Sequence, residues 1–585
     1  MRTASASICR LSGVLLLALV LGAAWPAVPC PASSVTSIRL HGHVPARATA
    51  GTRLIGRLAA DTGMQLALSL PLRNRPELEE LLSRISDPAD PLYRHYLTSQ
   101  EFIEKFAPTQ TDYDAVIAYA LDLGLTITGT HPNHTLLDVS GSAGQVEAAF
   151  NLRLNSFQAR HGRIFHAPDN DPMLPDSVAS LVTGVIGLDN AALRHTHIRA
   201  IPAAEMEQAA PLQIGTGPGG GLAPRDIRAA YNFNGVTADG SGQILGLFEL
   251  DGYNQADVTG YVNYFGLPAV PLQNVLIDGF SGKAGSGADE VTLDIELQIA
   301  LAPGTARIIV YEGPNTDAGV VDTYNRIAID NLARQISTSW GISEGESSTA
   351  VLNSENAAFQ QMAAQGQSIF AASGDSGAYD DGSTLSVDDP ASQPYMVGVG
   401  GTQLYVNTGG TYNHETAWNV NNTVNGGAGG GGVSSVWSIP AWQQGVASAA
   451  SATMRNVPDV SLNADQYTGY AIYYKGFWRI FGGTSCSAPL WAALTARVNQ
   501  RLQDNGMATL GFANPVLYMI ATGPGYGADF HDIADGSTNL FYPAVTGYDN
   551  ATGWGSFNGA NLISDLVSSL PPGTPPPPPT GLTAE

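Results

Sequence analysis

Gly482-Gly483-Thr484-Ser485-Cys486-Ser487-Ala488-Pro489, running into Leu490-Trp491-Ala492-Ala493-Leu494, decides how the chain is organised. Two glycines and a Thr-Ser pair stand directly before an apolar, helix-forming run. The sequence therefore predicts a strand-to-helix turn with a hydroxyl at its bend. The first N–H groups of such a helix have no partner within it and remain as donors. A serine held there can act as a nucleophile beside donors for a developing oxyanion. The same residues also fit an ordinary Ser/Thr helix cap, so the chemistry depends on what else the chain supplies.

A serine nucleophile needs a base, most often histidine. Beyond residue 200 only His414 and His531 occur, neither in a His-Gly-Thr setting. Carboxylates are the alternative. Glu290 and Asp294 lie in Ala288-Asp289-Glu290-Val291-Thr292-Leu293-Asp294-Ile295, a spacing that puts both on one helix face. Acids at that distance repel unless they share a proton or hydrogen bond, which raises one pKa. A third acid, Asp375, stands in Ser373-Gly374-Asp375-Ser376-Gly377, directly after a strand-like segment.

Glu-x-x-x-Asp, Ser-Gly-Asp-Ser-Gly and Gly-Gly-Thr-Ser-x-x-x-Pro, in that order, resemble the sedolisin family of serine-carboxyl peptidases, in particular its kumamolisin-like branch. The resemblance runs from about Leu54 to about Ser568. It implies a subtilisin-like parallel sheet with helices on both faces, preceded by a ferredoxin-like α+β prodomain. It also implies Ser485 as nucleophile, Glu290 as general base and acid, Asp294 as its orienting partner, and Asp375 as an oxyanion donor. Ser339 and Gly341 would pair with substrate backbone as an added strand. Glu249 and Trp340 would extend the acid network, and Asp388 would line the pocket for the second residue before the scissile bond. Without the resemblance, Trp340 fits a packed core aromatic and Asp388 a solvated loop acid. The family's Ca2+ site falls on Asp532, Ile533, Val545, Gly547 and Asp549, the middle three through carbonyl oxygens. Two carboxylates among turn-forming residues independently suit a hard cation.

At 585 residues the chain is long enough for more than one domain. Charged residues make up 13%, against about 25% in an average domain. A net charge of −24 with three lysines argues against nucleic acid as a partner. It fits tolerance of acid, because protonating the carboxylates leaves few positive charges to repel one another. Residues 1–30 read as a signal peptide: Arg2 and Arg10, the apolar core Val14 to Leu21, then Gly22-Ala23-Ala24. Secretion is the expectation, with no membrane partner after cleavage. Three cysteines, Cys9, Cys30 and Cys486, make no disulfide framework.

Residues 38–196 alternate strand-like (Gln65 to Leu70, Thr135 to Val139, Leu152 to Gln158) and helix-like segments (Arg75 to Ile85, Asp114 to Leu123, Gln145 to Phe150). This order predicts a ferredoxin-like sandwich. Tyr93-Arg94-His95-Tyr96 and Ser140-Gly141 within it resemble the sedolisin activation domain, which implies a propeptide acting as intramolecular inhibitor. Residues 197–222, rich in Ala, Pro and Gly, predict an exposed linker carrying the processing site. The peptidase is expected at 223–568. Its strands (Gln243 to Phe248, Ala306 to Tyr311, Gln335 to Ser339, Gln367 to Ala372) are separated by helices (Ala256 to Phe265, Glu290 to Leu301, Asp322 to Leu332, Ser354 to Ala364), which indicates a parallel sheet. Sites in such sheets form at the carboxyl ends of strands, where Asp375 and Ser339-Trp340-Gly341 stand. Asn421 to Gly432 predicts a flexible loop, and 569–585 a Pro-rich tail. The expected protein is a secreted, monomeric, acid-active endopeptidase made as a zymogen, with protein and peptide substrates. A tripeptidyl-peptidase, an acyl transferase or esterase on the same serine, and an inactive exported binding protein are the alternatives.

Overall fold

A strand buried on both faces reads as an unbroken apolar run, whereas one with a solvated face alternates. Both kinds occur in the computed structural model of this chain, which describes residues 36–45, 49, 51–159, 162–201, 214–420 and 426–568. The expected signal peptide, the Pro-rich tail, residues 202–213 of the linker and residues 421–425 lie outside the described residues.

The N-terminal region is built from β1 (Gly63–Ser69), α1 (Gln110–Asp122), β2 (Thr126–Thr130), β3 (Leu136–Ser142), α2 (Ala143–Phe150) and β4 (Gly184–Ile186). The strands pair antiparallel in the order β2-β3-β1-β4, the ferredoxin-like arrangement. Strand β1 sends Met64, Leu66 and Leu68 into a core with Tyr113 and Val116 of α1 and Val146 and Phe150 of α2. Its Ala67 turns the other way, onto Ala318, Val321, Ala350 and Val351 of the second region. The period of two along β1 thus fixes both the domain core and its docking face. Helix α2 starts where a Ser142–Gln145 capping box satisfies two of its free N–H groups.

The second region is a sheet of β5 (Ile244–Glu249), β6 (Leu272–Leu276), β7 (Arg307–Glu312), β8 (Gln335–Thr338), β9 (Ser368–Ala372), β10 (Val397–Val406), β11 (Tyr412–Ala417) and β12 (Val460–Asn463). Their order is β6-β7-β5-β8-β9-β10-β11, with β12 alongside β10, and all pairs are parallel except β10 with β11. Leu245, Leu247, Ile308, Val310 and Phe370 face α3 (Ala288–Leu301) and α6 (Thr484–Asp504). Phe248, Ile309, Ile336 and Ile369 face the opposite layer, α4 (Asp317–Asp330) and α5 (Thr349–Ala364). This is the subtilisin-like α/β architecture. Helix α4 begins earlier than its apolar pattern predicts because the Thr316 hydroxyl accepts from Gly319 N–H and caps it there.

Two expectations need correction. The described ends of the linker are packed: Leu222 is buried, its N–H donates to the Gly469 carbonyl, and its own carbonyl accepts from Ala471. Backbone pairing holds it together with burial of the Leu222 side chain in the core, and an Ala/Pro/Gly-rich composition gave no sign of the pairing. Likewise, of the described part of the predicted flexible loop, Gly426 to Gly432, all but the half-buried Gly426 is buried. Ala428 N–H donates to the Asp375 carbonyl at 3.1 Å and Gly430 N–H to the Gly374 carbonyl at 2.8 Å.

Candidate active site

Ser485 sits in the first turn of α6, after the strand Phe477–Gly482. Gly483 turns the chain with φ +99, and a Cβ there would lie 2.1 Å from the His197 carbonyl oxygen and 2.8 Å from Asp375. Only glycine fits both the conformation and the space. Pro489, inside the helix, has no N–H and so leaves the Ser485 carbonyl without its helical donor. The Ser339 hydroxyl lies 3.4 Å from that carbonyl and 2.9 Å from Asp294 Oδ1.

Helix α3 brings Glu290 and Asp294 together on the face toward α6, and both are fully buried. The Glu290 carboxyl faces the Ser485 hydroxyl within interaction range, but the closed site holds no formed hydrogen bond between them. Asp294 in turn lies against Glu249, whose Oε2 accepts from Trp340 Nε1 at 2.8 Å. Trp340 is therefore both a packed core aromatic and a donor to the acid row. Burial pushes Glu290, Asp294 and Glu249 well above the ordinary carboxyl range, and Asp294 adds repulsion on its two neighbours. Three carboxyls in one dry row cannot all ionise, so protons are shared along it. Asp375 follows β9 and accepts at Oδ1 from Thr484 N–H at 2.8 Å and the Thr484 hydroxyl at 3.0 Å.

One segment that the sequence did not mark for chemistry closes this site. His195 pairs antiparallel with Gly341 and Thr196 with Trp340. His197 N–H donates to the Ser339 carbonyl at 3.1 Å, and its carbonyl accepts from Ser485 N–H at 3.1 Å. Arg199 and Ala200 then pair with Gly482 and Phe481. The Arg199 guanidinium stands 3.6 Å from Asp375 Oδ2. Arg199–Ala200 thus form a strand, and His197 and Ile201 are buried, where an exposed linker was expected. His197 Nε2 lies 3.0 Å from Asp388 Oδ2; burial pushes the imidazole down to about 4 and Asp388 well up. Asp388 is no solvated loop acid, being fully buried. It faces His197, the residue whose carbonyl accepts from Ser485 N–H. The clustered basic residues His195, His197 and Arg199 at the start of the expected linker were the available signal.

The expected Ca2+ residues gather on one loop. Asp532 accepts from Gly547 N–H at 3.2 Å and from the Tyr526 hydroxyl at 3.0 Å. Asp549 accepts from Val545 N–H at 2.9 Å, and burial pushes it up to about 7. Ile533 is buried beside them and Val545 is exposed. Both carboxylates close on residues 545–549, and among the described residues neither has a basic side chain as an ion-pair partner. An all-oxygen donor set without a counter-charge fits a hard cation.

Residues 50–191 match the pro-kumamolisin activation domain, and residues 301–554 the subtilase family. The chain is 34% identical over 535 residues to kumamolisin from a Bacillus species, covering 88% of this chain and 93% of that protein. It is 31% identical over 532 residues to sedolisin from a Pseudomonas species, covering 88% of each. Tripeptidyl-peptidase 1 of Rattus norvegicus is 25% identical over 559 residues, covering 88% of this chain and 93% of that protein. The solved structure of Pseudomonas sedolisin, a serine-carboxyl proteinase complexed with two molecules of pseudo-iodotyrostatin, aligns with a TM-score of 0.56 at 31% identity. That alignment covers 60% of this chain and 99% of that one. Fold and comparisons together define a subtilisin-like serine-type peptidase made with an activation domain. The chain belongs to the sedolisin family, in its kumamolisin-like branch.

Proposed function

We propose that this chain is the zymogen of a secreted, acid-active serine-carboxyl endopeptidase working through an acyl-enzyme on Ser485. Glu290 takes the Ser485 proton as Oγ attacks the scissile carbonyl carbon, and returns it to the leaving amine when the C–N bond breaks. Asp294, backed by Glu249 and Trp340, orients Glu290. Ser485 N–H and Asp375 hold the tetrahedral oxyanion. Water, deprotonated by Glu290, then releases the acyl group and restores the serine. Carboxyl groups in place of an imidazole move the working range into acid.

The reading rests on the register of residues 195–200. A chain whose carbonyl accepts from Ser485 N–H, and whose N–H donates to the Ser339 carbonyl, lies as a substrate would. His197–Ile198 is then the bond presented for self-processing, and Arg199 occupies the Asp375 oxygen needed for oxyanion donation. The chain continues before His195 as well as after Ile198, which favours endopeptidase over tripeptidyl-peptidase action. Asp532 and Asp549, with the carbonyls of Ile533, Val545 and Gly547, would hold a structural Ca2+, stiffening this loop. Secretion is supported by the apolar N-terminal segment.

N-terminal sequencing after incubation near pH 4, the ordinary carboxyl range, tests this. A new terminus at Ile198, absent in Ser485→Ala, is the expected result. Processing or casein hydrolysis that persists in Ser485→Ala would sink the assignment. A first cut only within 202–222 would remove the substrate role of His197.

A further inference from the structure

Away from the active site, ionisable groups converge where the activation domain meets the peptidase. His131 follows β2, Asp138 lies on β3, Asp278 on the turn after β6, and Asp322 on α4. The loop after β2 is fastened to α4 and α5: the Asn133 amide donates to Asn325 at 2.6 Å and to Gln361 at 2.9 Å, and the Thr135 hydroxyl to Asn325 at 3.1 Å. This holds His131 Nε2 2.9 Å from Asp138 Oδ2 and 3.6 Å from Asp322 Oδ1. One donor atom from each of the three residues lies within 4.8 Å of the others. The carboxyls of Asp138 and Asp278 also approach Asp322 to hydrogen-bond range.

The cluster lacks what would normally neutralise it. Asp322 is 2% exposed, and its Oδ1, the oxygen aimed at His131, receives no hydrogen bond. Asp138 Oδ1 is likewise buried without a donor. Among the described residues no Lys or Arg forms an ion pair with Asp138, Asp278 or Asp322. Space is kept for the carboxylate by Gly129 on β2, where a Cβ would stand 2.1 Å from Asp138 Oδ2. A cation with bonds of about 2.0–2.2 Å holds its donors roughly 3–4.4 Å apart. The 2.9 and 3.6 Å spacings are of that size. One imidazole with carboxylates suits zinc or manganese, whereas Ca2+ takes oxygen donors.

We propose that this seam is a binding site for a divalent transition-metal cation, held by His131 and Asp138 of the activation domain and Asp322 of the peptidase, with Asp278 beside them. The ion bridges the two regions and clamps the propeptide on the enzyme. Processing removes two of the three donors, so the mature enzyme loses the ion. The proposal uses the zymogen reading only in taking residues 50–191 as the part removed.

The test uses the full-length Ser485→Ala chain, which cannot process itself, stripped with a chelator and kept in excess Ca2+ to fill any oxygen-donor site. Titration with Zn2+ or Mn2+ in a calorimeter should show one more bound equivalent than in the same chain carrying His131→Gln or Asp322→Asn. Metal-edge X-ray absorption on the loaded chain should show one imidazole nitrogen in the coordination shell, and does not depend on either variant folding. Equal stoichiometry in all three chains would overturn the site, as would an all-oxygen shell. It would leave the carboxyls sharing protons instead. Retention of the equivalent after propeptide removal would overturn the clamp. Failure of the catalytic reading would appear separately, as a wild-type chain that stays intact in acid, and leaves this titration unaffected.

Discussion

Glu249, Glu290 and Asp294 come from one helix and the strand beside it; Asp138, Asp278 and Asp322 come from three separate segments in two regions. Burial pushes Glu249, Glu290, Asp294 and Asp322 well up, and Asp278 up. The two sets differ in what surrounds them. Ser339 and Trp340 give the active-site row uncharged donors that tolerate either protonation state. The seam acids have one imidazole between them. A third group sharpens the contrast: Arg194 is buried between Asp317 and Glu355, the latter at 3.4 Å. There the protein supplies its own cation. Buried acids are thus resolved in three ways in one molecule: by a shared proton, by a fixed guanidinium and, at the seam, by the ion we infer.

The largest effect expected is at the active-site row. Glu290→Gln should lower kcat/KM by about 10^2–10^4-fold, the range of general acid–base catalysis. Turnover near wild type would mean that the row is structural, like the Arg194 group. Next comes Arg194→Met in the Ser485→Ala proenzyme, which leaves Asp317 and Glu355 without their charge partner. Chemical denaturation should show a loss of about 3–5 kcal/mol, as for other buried pairs broken on one side. A change within about 0.5 kcal/mol, the ordinary range for surface substitutions, would put the pair in contact with water.

A smaller effect concerns His197, whose pKa burial lowers from 6.5 to about 4. The docked segment therefore holds fewer protons than a released one. Docking is at full strength above about pH 6.5 and weakens as pH falls toward 4. The difference is at most roughly 3 kcal/mol. Asp388, pushed up beside it, acts in the opposite sense. Hydrogen exchange of residues 195–200 at neutral and acid pH, in Ser485→Ala with and without His197→Gln, isolates the imidazole. An identical pH dependence in the two chains would remove it from activation.

What could be read from the sequence was set by local spacing. Glu290 and Asp294 were visible because a helix turns a four-residue spacing into a contact. The alternating strands and helices gave the parallel sheet for a similar local reason, and Gly-Gly-Thr-Ser before an apolar run gave the bend at Ser485. His197 and Arg199 escaped because they act through strand pairing with residues far along the chain, and their local cluster of basic side chains does not show which backbone they meet. Gly427 to Gly432 misled for the same reason: glycine-rich sequence signals freedom only where no partner backbone waits. The seam is the extreme case. His131 and Asp138 meet Asp322 through the docking of two regions, and no periodicity connects them.

Residues 195 to 200 are gripped mainly through main-chain amides, from Ser339 and Gly341 on one side to Phe481 and Gly482 on the other. A cleft that zips onto bare peptide groups takes hold only of polypeptide already drawn out straight. Helices and closed sheets have spent those groups on themselves. An intact globular protein would pass such a cleft untouched, and the solvent that unravels it would decide when it becomes food.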